Sequence, residues 1–376
     1  MACGKGKKMN SSESLPFNAR LEEYQQQAKT LFERVKSHDE QAEWRFKWMH
    51  PDFRGKSVAD VRAAALELSD AQAVVAREYS FEKWADLAVF AEAVRQDRAV
   101  SQFETAVEAV IAGDAAALRA MLREDPELVR ARSTRKHKAT LLHYVAANGV
   151  EGGRQKTPAN ALEIAKILLE AGAEVDAPAE MYEQQCTTMS MLVSSCHPAK
   201  AGLQGKLAEL LLDHGAELEG RGSKWQSALM TALAFGYLDT AETLARRGAP
   251  LNTLGAAAGL GRIAETARML PSSDAHSRHA ALALAAQHGH AGVVQLLLDA
   301  GEDPNRYNPD GYHSHSTPLH QAVCAGHAEV VKLLVKRGAR LDIKDTIHQG
   351  TPLGWAIYCE KPMIAEYLRA QGALES

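Results

Sequence analysis

No apolar run of about 18 residues occurs in the 376-residue chain, so no membrane-spanning helix is expected. An export leader is not expected either, because Lys5, Lys7 and Lys8 follow Met1 without an apolar stretch behind them. Cysteine is scarce: Cys3, Cys186, Cys196, Cys324 and Cys359 are an odd, scattered set without a C-x-x-C pair. That usage argues against a disulfide framework and for a cytoplasmic setting. Charge of one sign is not in excess: 43 Lys and Arg face 47 Asp and Glu, a net charge of −4. Such a balance argues against the nucleic-acid backbone as the main partner. The phosphate loop G-x-x-x-x-G-K-[ST] is missing, and Gly255, Gly259 and Gly261 make no dinucleotide fingerprint, since no strand precedes them. No cofactor is therefore expected. With 46% hydrophobic residues the chain nevertheless has ample material for a folded core.

What the sequence does contain is internal repetition. Thr317-Pro318-Leu319-His320 is followed by Ala325-Gly326-His327, an apolar stretch Val330 to Leu334, and Gly338-Ala339. Thr351-Pro352-Leu353-Gly354 leads in the same way to Gly372-Ala373. In both units the Thr-to-Gly separation is 21, and the same separation relates Ser227 to Gly248 and Ala280 to Gly301. Each piece has a physical task. Thr317 caps a first helix. Pro318 fits its first turn, where a missing N–H costs nothing. Val330, Val331, Leu333 and Leu334 make the apolar stripe of a second helix. Gly338 ends that helix with positive φ.

These motifs resemble the ankyrin repeat, and Thr317 to Ala339 is close to its consensus; the wider resemblance is to bacterial ankyrin-repeat proteins with a helical leader. The resemblance implies an all-α solenoid of about eight helix pairs joined by short hairpins. Read with that template, the units open at Phe103, Thr140 (with His143), Thr188, Ser227, Thr253, Ala280, Thr317 and Thr351. The structural glycines are Gly172, Gly215, Gly248, Gly301, Gly338 and Gly372, while Pro318, Pro352 and His320 complete the motif. Thr140 to Gly172 spans 32 residues instead of 21, which places an insertion between Gly149 and Asn160; a smaller one is expected from Cys196 to Gly205. Residues 1–17 read as a disordered tail, 18–98 as a helical leader that caps the stack, and 99–376 as the array. The basic run Arg130, Arg132, Arg135, Lys136, His137 and Lys138 reads as a solvated hairpin.

A stack of helix pairs offers a concave face and hairpin tips rather than a catalytic cleft. The resemblance thus implies a protein-binding scaffold without catalysis, working as a monomer in the cytoplasm, away from membranes. Large side chains at the hairpins are the candidate anchors: Tyr182, Trp225, Tyr307, Tyr312, His313, His315, Ile347 and His348. Two rivals compete. One is a metal site or enzyme using His313, His315 and His320, whose H-x-H-x4-H spacing suits a transition metal. The other is a secreted effector acting on host proteins, for which an export signal need not be visible.

Overall fold

The computed structural model describes residues 15–219 and 227–374. Trp225, Cys3 and the first 14 residues of the expected tail lie outside them. The chain divides into two compact units between Leu203 and Gln204.

The first unit begins with α1 (Leu21–Lys36), α2 (Glu40–Met49), α3 (Val58–Ala63), α4 (Leu68–Glu78) and α5 (Trp84–Gln96). Tyr24, Ala28, Leu31 and Val35 recur at helical spacing along α1 and are buried. They join Phe46, Val74, Val75, Leu87 and Phe90 in one core. Two helix pairs follow, α6 (Arg98–Ala112) with α7 (Ala115–Glu124) and α8 (Leu141–Val145) with α9 (Ala161–Glu170). The strands β1 (Ala179–Met181) and β2 (Gln184–Cys186) form an antiparallel hairpin, Ala179 opposite Cys186 and Met181 opposite Gln184. The unit closes with α10 (Thr188–Leu192) and α11 (Cys196–Lys200). Thr187, one residue earlier than the sequence suggests, caps α10 by accepting from Ser190 N–H. The expected loop insertion at Cys196 is itself the short helix α11.

The second unit opens with α12 (Gln204–Asp213) and continues as helix pairs: α13 (Ala228–Ala234) with α14 (Leu238–Arg246), α15 (Leu254–Gly259) with α16 (Ile263–Met269), α17 (Ala275–Gln287) with α18 (Ala291–Asp299), α19 (Pro318–Ala325) with α20 (Ala328–Lys336), and α21 (Pro352–Tyr358) with α22 (Pro362–Ala370). The motif residues behave as their chemistry requires. Thr317 and His320 cap α19 reciprocally, Pro318 occupies its first turn, and Gly326 ends it at φ 89°. The stripe Val330, Val331 and Leu334 is buried against Val293, Val294 and Leu297 of the preceding pair. The architecture is that of an all-α ankyrin solenoid.

Four expectations need correction. The scattered cysteines do not all stay apart: Cys324 and Cys359 are disulfide-bonded, with Cα atoms 5.3 Å apart. A repeat period near 34 sets residues 35 apart side by side on successive helix pairs, so sequence distance hid the pairing. From the sequence, the polar residues Arg369, Gln371 and Glu375 suit a solvated end of the stack, but exposed Ile357, Tyr358, Met363 and Leu374 interrupt that end, and Glu375 is outside the described residues.

The other two concern one buried cluster in the first unit. Residues 15–17 are not tail. Phe17 is 3% exposed, and its ring lies between two guanidiniums, 3.4 Å from that of Arg135 and 3.6 Å from that of Arg154. The basic run is not wholly solvated either: Arg135 and His137 are buried. The insertion after Gly149 supplies the compensating charge. Its short 3-10 turn, Gly152–Arg154, brings Arg154 inside beside Glu151. Arg135 pairs with Glu151, and Arg154 pairs with Glu104 at 2.5 Å and with Glu108 at 2.8 Å. His137 Nε2 and the Tyr144 hydroxyl add contacts to the same Glu151 oxygen at 2.8 and 3.3 Å. Burial alone would raise the Glu151 pKa, but Arg135, His137 and Arg154 together hold it well below the usual carboxylate range. The leader aromatics, α6 and the insertion are therefore tied into one compact unit, which explains why the chain divides at Leu203 and not after the leader.

Glu151→Gln removes the charge facing Arg135 in a dry interior and is expected to cost about 3 kcal/mol. Phe17→Ala is expected to cost a comparable amount, about 3 kcal/mol, by opening a cavity under both guanidiniums. Urea unfolding of each variant checks both values. Lys136→Ala, which breaks only an exposed pair with Glu82, should leave the midpoint unmoved.

Candidate protein-binding surface

The anchors predicted from the sequence fall into separate places. Tyr182 and Glu183 form the tip of the β1–β2 hairpin, both with positive φ, 53° and 61°. Tight hairpin tips of this kind favour Asn and Gly, so two bulky residues there carry backbone strain. The Tyr182 ring is 63% exposed, yet its hydroxyl donates to Asn148 Oδ1 at 2.7 Å, and Gly149 lies beneath the ring. A Cβ on Gly149 would collide with Met181 Sδ at 2.5 Å, so the hairpin leans on the end of α8 only because that residue is glycine.

In the second unit the long loop 308–316 is closed at its base by Asn308 N–H to Ser316 O, 2.8 Å. It does not stand up as a free finger. His313, at φ 62°, points its ring past α15 and α17 to the C-terminal end of α13, where Nε2–H donates to Ala234 O at 3.0 Å. His288 Nε2–H donates to the neighbouring Leu233 O at 2.9 Å, and the Gln287 amide reaches both carbonyls. Tyr312 is half-buried, and His315 lies half-buried against Trp355, ring centroids 5.9 Å apart. Of these three predicted anchors, His313 is spent on the end of α13 and His315 on Trp355, and Tyr312 is only partly offered to solvent.

Three others remain on the surface and are laced together. The Tyr307 hydroxyl donates to Lys344 O at 2.7 Å, and Thr346 N–H donates to His315 O at 2.9 Å. Asp345, itself fully buried, accepts from Ile347 N–H, His348 N–H, Gly350 N–H and Trp355 Nε1–H, all at 3.0 Å or less. Burial pushes the Asp345 pKa up, but these donors outweigh it and hold it at about 2. The carboxylate fixes a turn whose tip presents Ile347, 63% exposed, and His348 to solvent. Asp345→Ala leaves three backbone donors and the indole N–H unanswered. It is expected to loosen the tip, read as loss of amide-exchange protection at Ile347, His348 and Gly350.

Three ring nitrogens of the candidate metal triad are already engaged by the protein itself. His320 Nδ1 accepts from Thr317 N–H and Oγ1–H, and its Nε2–H donates to Gly350 O at 3.2 Å, so both nitrogens are engaged. His313 spends Nε2 on Ala234 O. Among the described residues no group of three or more His, Cys, Asp or Glu stands together to hold a metal ion. His143 repeats the bonding of His320, with Thr140 on Nδ1 and Cys186 O on Nε2. Desolvation lowers the pKa of His143, His288, His313 and His320 to about 4 each.

One exposed aromatic pair lies outside the anchors expected from the sequence. Trp44 and Trp48 on α2 stack with centroids 6.4 Å apart, and Lys47 Nζ lies over both rings. Their spacing of four on one helix face was the available signal.

Those depressed values set a pH dependence. The folded imidazoles stay neutral to about 4, whereas unfolded histidine takes up a proton below about 6.5. Unfolding therefore binds protons between these values. Stability is full above pH 6.5 and is lost as pH falls, by up to about 1.4 kcal/mol per pH unit for each such imidazole. Melting curves from pH 8 to 4.5 should show a plateau and then a fall beginning near 6.5.

Comparison with known proteins agrees with this architecture. Residues 254–345 and 282–374 match the family described as ankyrin repeats (3 copies). An ankyrin repeat-containing protein of Schizosaccharomyces pombe is 41% identical over 85 residues, 23% of this chain and 37% of that protein. The ankyrin repeat and SAM domain-containing protein 6 of Mus musculus is 35% identical over 106 residues, 27% of this chain and 11% of its own length, and that of Rattus norvegicus is 34% identical over the same span. The matched stretch spans between 11% and 37% of the length of these relatives, and all three are eukaryotic.

Proposed function

We propose that this chain, which belongs to the ankyrin-repeat proteins through its C-terminal helix pairs, holds a partner protein on the Tyr307–Ile347–His348 surface and performs no chemistry of its own. Ankyrin repeats are protein-interaction modules, and no helix among the described residues is long and apolar enough to cross a membrane. The observation that carries the reading is the tip at residues 345–350. A fully buried carboxylate with several donors is a large investment of hydrogen bonding in a short turn, and what it holds outward is a bare isoleucine. A rigid apolar anchor loses little entropy on binding, which is what an interface needs at its centre.

The reading narrows the expectation of a concave-face binder. The groove over α13, α15 and α17 is occupied by the loop that carries His313, so the tips rather than the groove are the surface offered. The protein acts as a monomer presenting that surface.

A photo-crosslinking amino acid placed at Ile347 tests this, with a second copy of the experiment at Lys336 on α20 as control. A protein from the source cell that is trapped from 347 and not from 336, and whose yield falls about tenfold or more in a Tyr307→Ala background, is the expected result. Equal trapping from both positions would overturn the assignment.

A further inference from the structure

Two junctions of the second unit, α15 with α17 and α17 with α19, are tied by imidazoles. His290 Nε2–H donates to Gly259 O and His327 Nε2–H to Gln287 O, each at 2.9 Å, so each pair reaches back to the end of the inner helix before it. At the junction of α19 with α21 that device is missing. Lys361 holds the corresponding position, and its stem folds over Gly326 instead. The turn residue is also altered. Where the earlier turns have Gly289 at φ 80° and Gly326 at φ 89°, this one has Glu360 at φ 56°, a conformation that glycine adopts freely and glutamate does not. The pair Thr351–Gly372 also leaves Ile357, Tyr358 and Met363 exposed. Its turn thus carries a lysine in place of the imidazole and is strained.

The Cys324–Cys359 bond sits at this junction, linking the last turn of α19 to the C-cap of α21. Both cysteines are half-exposed, within reach of a small thiol or disulfide, while Cys186 is buried. We propose that Cys324 and Cys359 are a reversible redox site, oxidised by exchange with a low-molecular-weight disulfide such as glutathione disulfide, and that the bond takes the place of the missing imidazole tie in holding the last helix pair. One protein thiolate attacks glutathione disulfide, forming a mixed disulfide and releasing one glutathione thiolate. The second cysteine, as its thiolate, attacks the protein sulfur of that mixed disulfide and releases the other glutathione. The protein dithiol is oxidised and glutathione disulfide is reduced to two glutathiones; the two protons lost by the protein thiols are taken up through solvent by the released glutathione thiolates. The site does not depend on what the Ile347 tip binds.

The test uses the full chain in glutathione buffers of graded oxidation, with free thiols trapped by alkylation and the linked peptides identified by mass spectrometry. Amide exchange in 352–370 is followed in both states. Oxidation is expected to link Cys324 to Cys359 and to slow that exchange about tenfold or more, with α13 and α14 unaffected. Cys324→Ser should exchange like the reduced protein under all conditions. Lys361→His in that background should restore part of the protection by rebuilding the imidazole tie. Absence of the linked peptide in fully oxidising buffer would overturn the proposal, and so would a link that leaves exchange in 352–370 unchanged.

Discussion

The carbonyls left over at the ends of the inner helices are the constraint on which the rest of this protein depends. A short helix leaves its last carbonyls without internal partners, and stacking helix pairs takes water away from them. Each must find a donor in the neighbouring pair. Asn160 serves Gly113 O, the Ser195 hydroxyl serves Ala147 O, His290 serves Gly259 O and His327 serves Gln287 O. At Leu233 and Ala234 the need is met three times over, by Gln287, His288 and His313. The donors are short, fixed side chains, so each pair is held in register as well as packed.

That requirement also settles what the histidines are for. An imidazole that donates through Nε2 and accepts through Nδ1 is a neutral bridge, and burial keeps it neutral. A metal would need a free nitrogen lone pair that His320 does not have. Of the histidines that make a metal site tempting in the sequence, His313 and His320 tie a helix end and a loop, and His315 packs on Trp355. Among the side chains the ties leave over are the tip arranged by Asp345 and the exposed Tyr307 ring beside it.

The buried charges of the first unit obey the same logic with larger energies. Two arginines and two glutamates below 6% exposure are tolerable only because each faces an opposite charge. Phe17 closes the cluster from the leader side, and the insertion after Gly149 closes it from the other. An insertion that could have been a tolerated loop is instead the source of Glu151 and Arg154.

The repeat itself was legible in the residues. Thr317, Pro318, Gly326 and Gly338 act locally, through caps, a fixed φ and positive-φ turns, and local rules need only local sequence. The amphipathic spacing of α1 was readable for the same reason. The destinations of Arg135, His313, Phe17 and Cys324 were not readable. Each is decided by partners between 16 and about 140 residues away, brought near by stacking, and no run of neighbours encodes those distances. The sequence by itself determined that the chain is a stack of capped helix pairs. The tertiary structure alone decided which polar groups are buried, which of them meet, and hence which few side chains are left facing outward, because burial and pairing are properties of the assembled surface rather than of any segment.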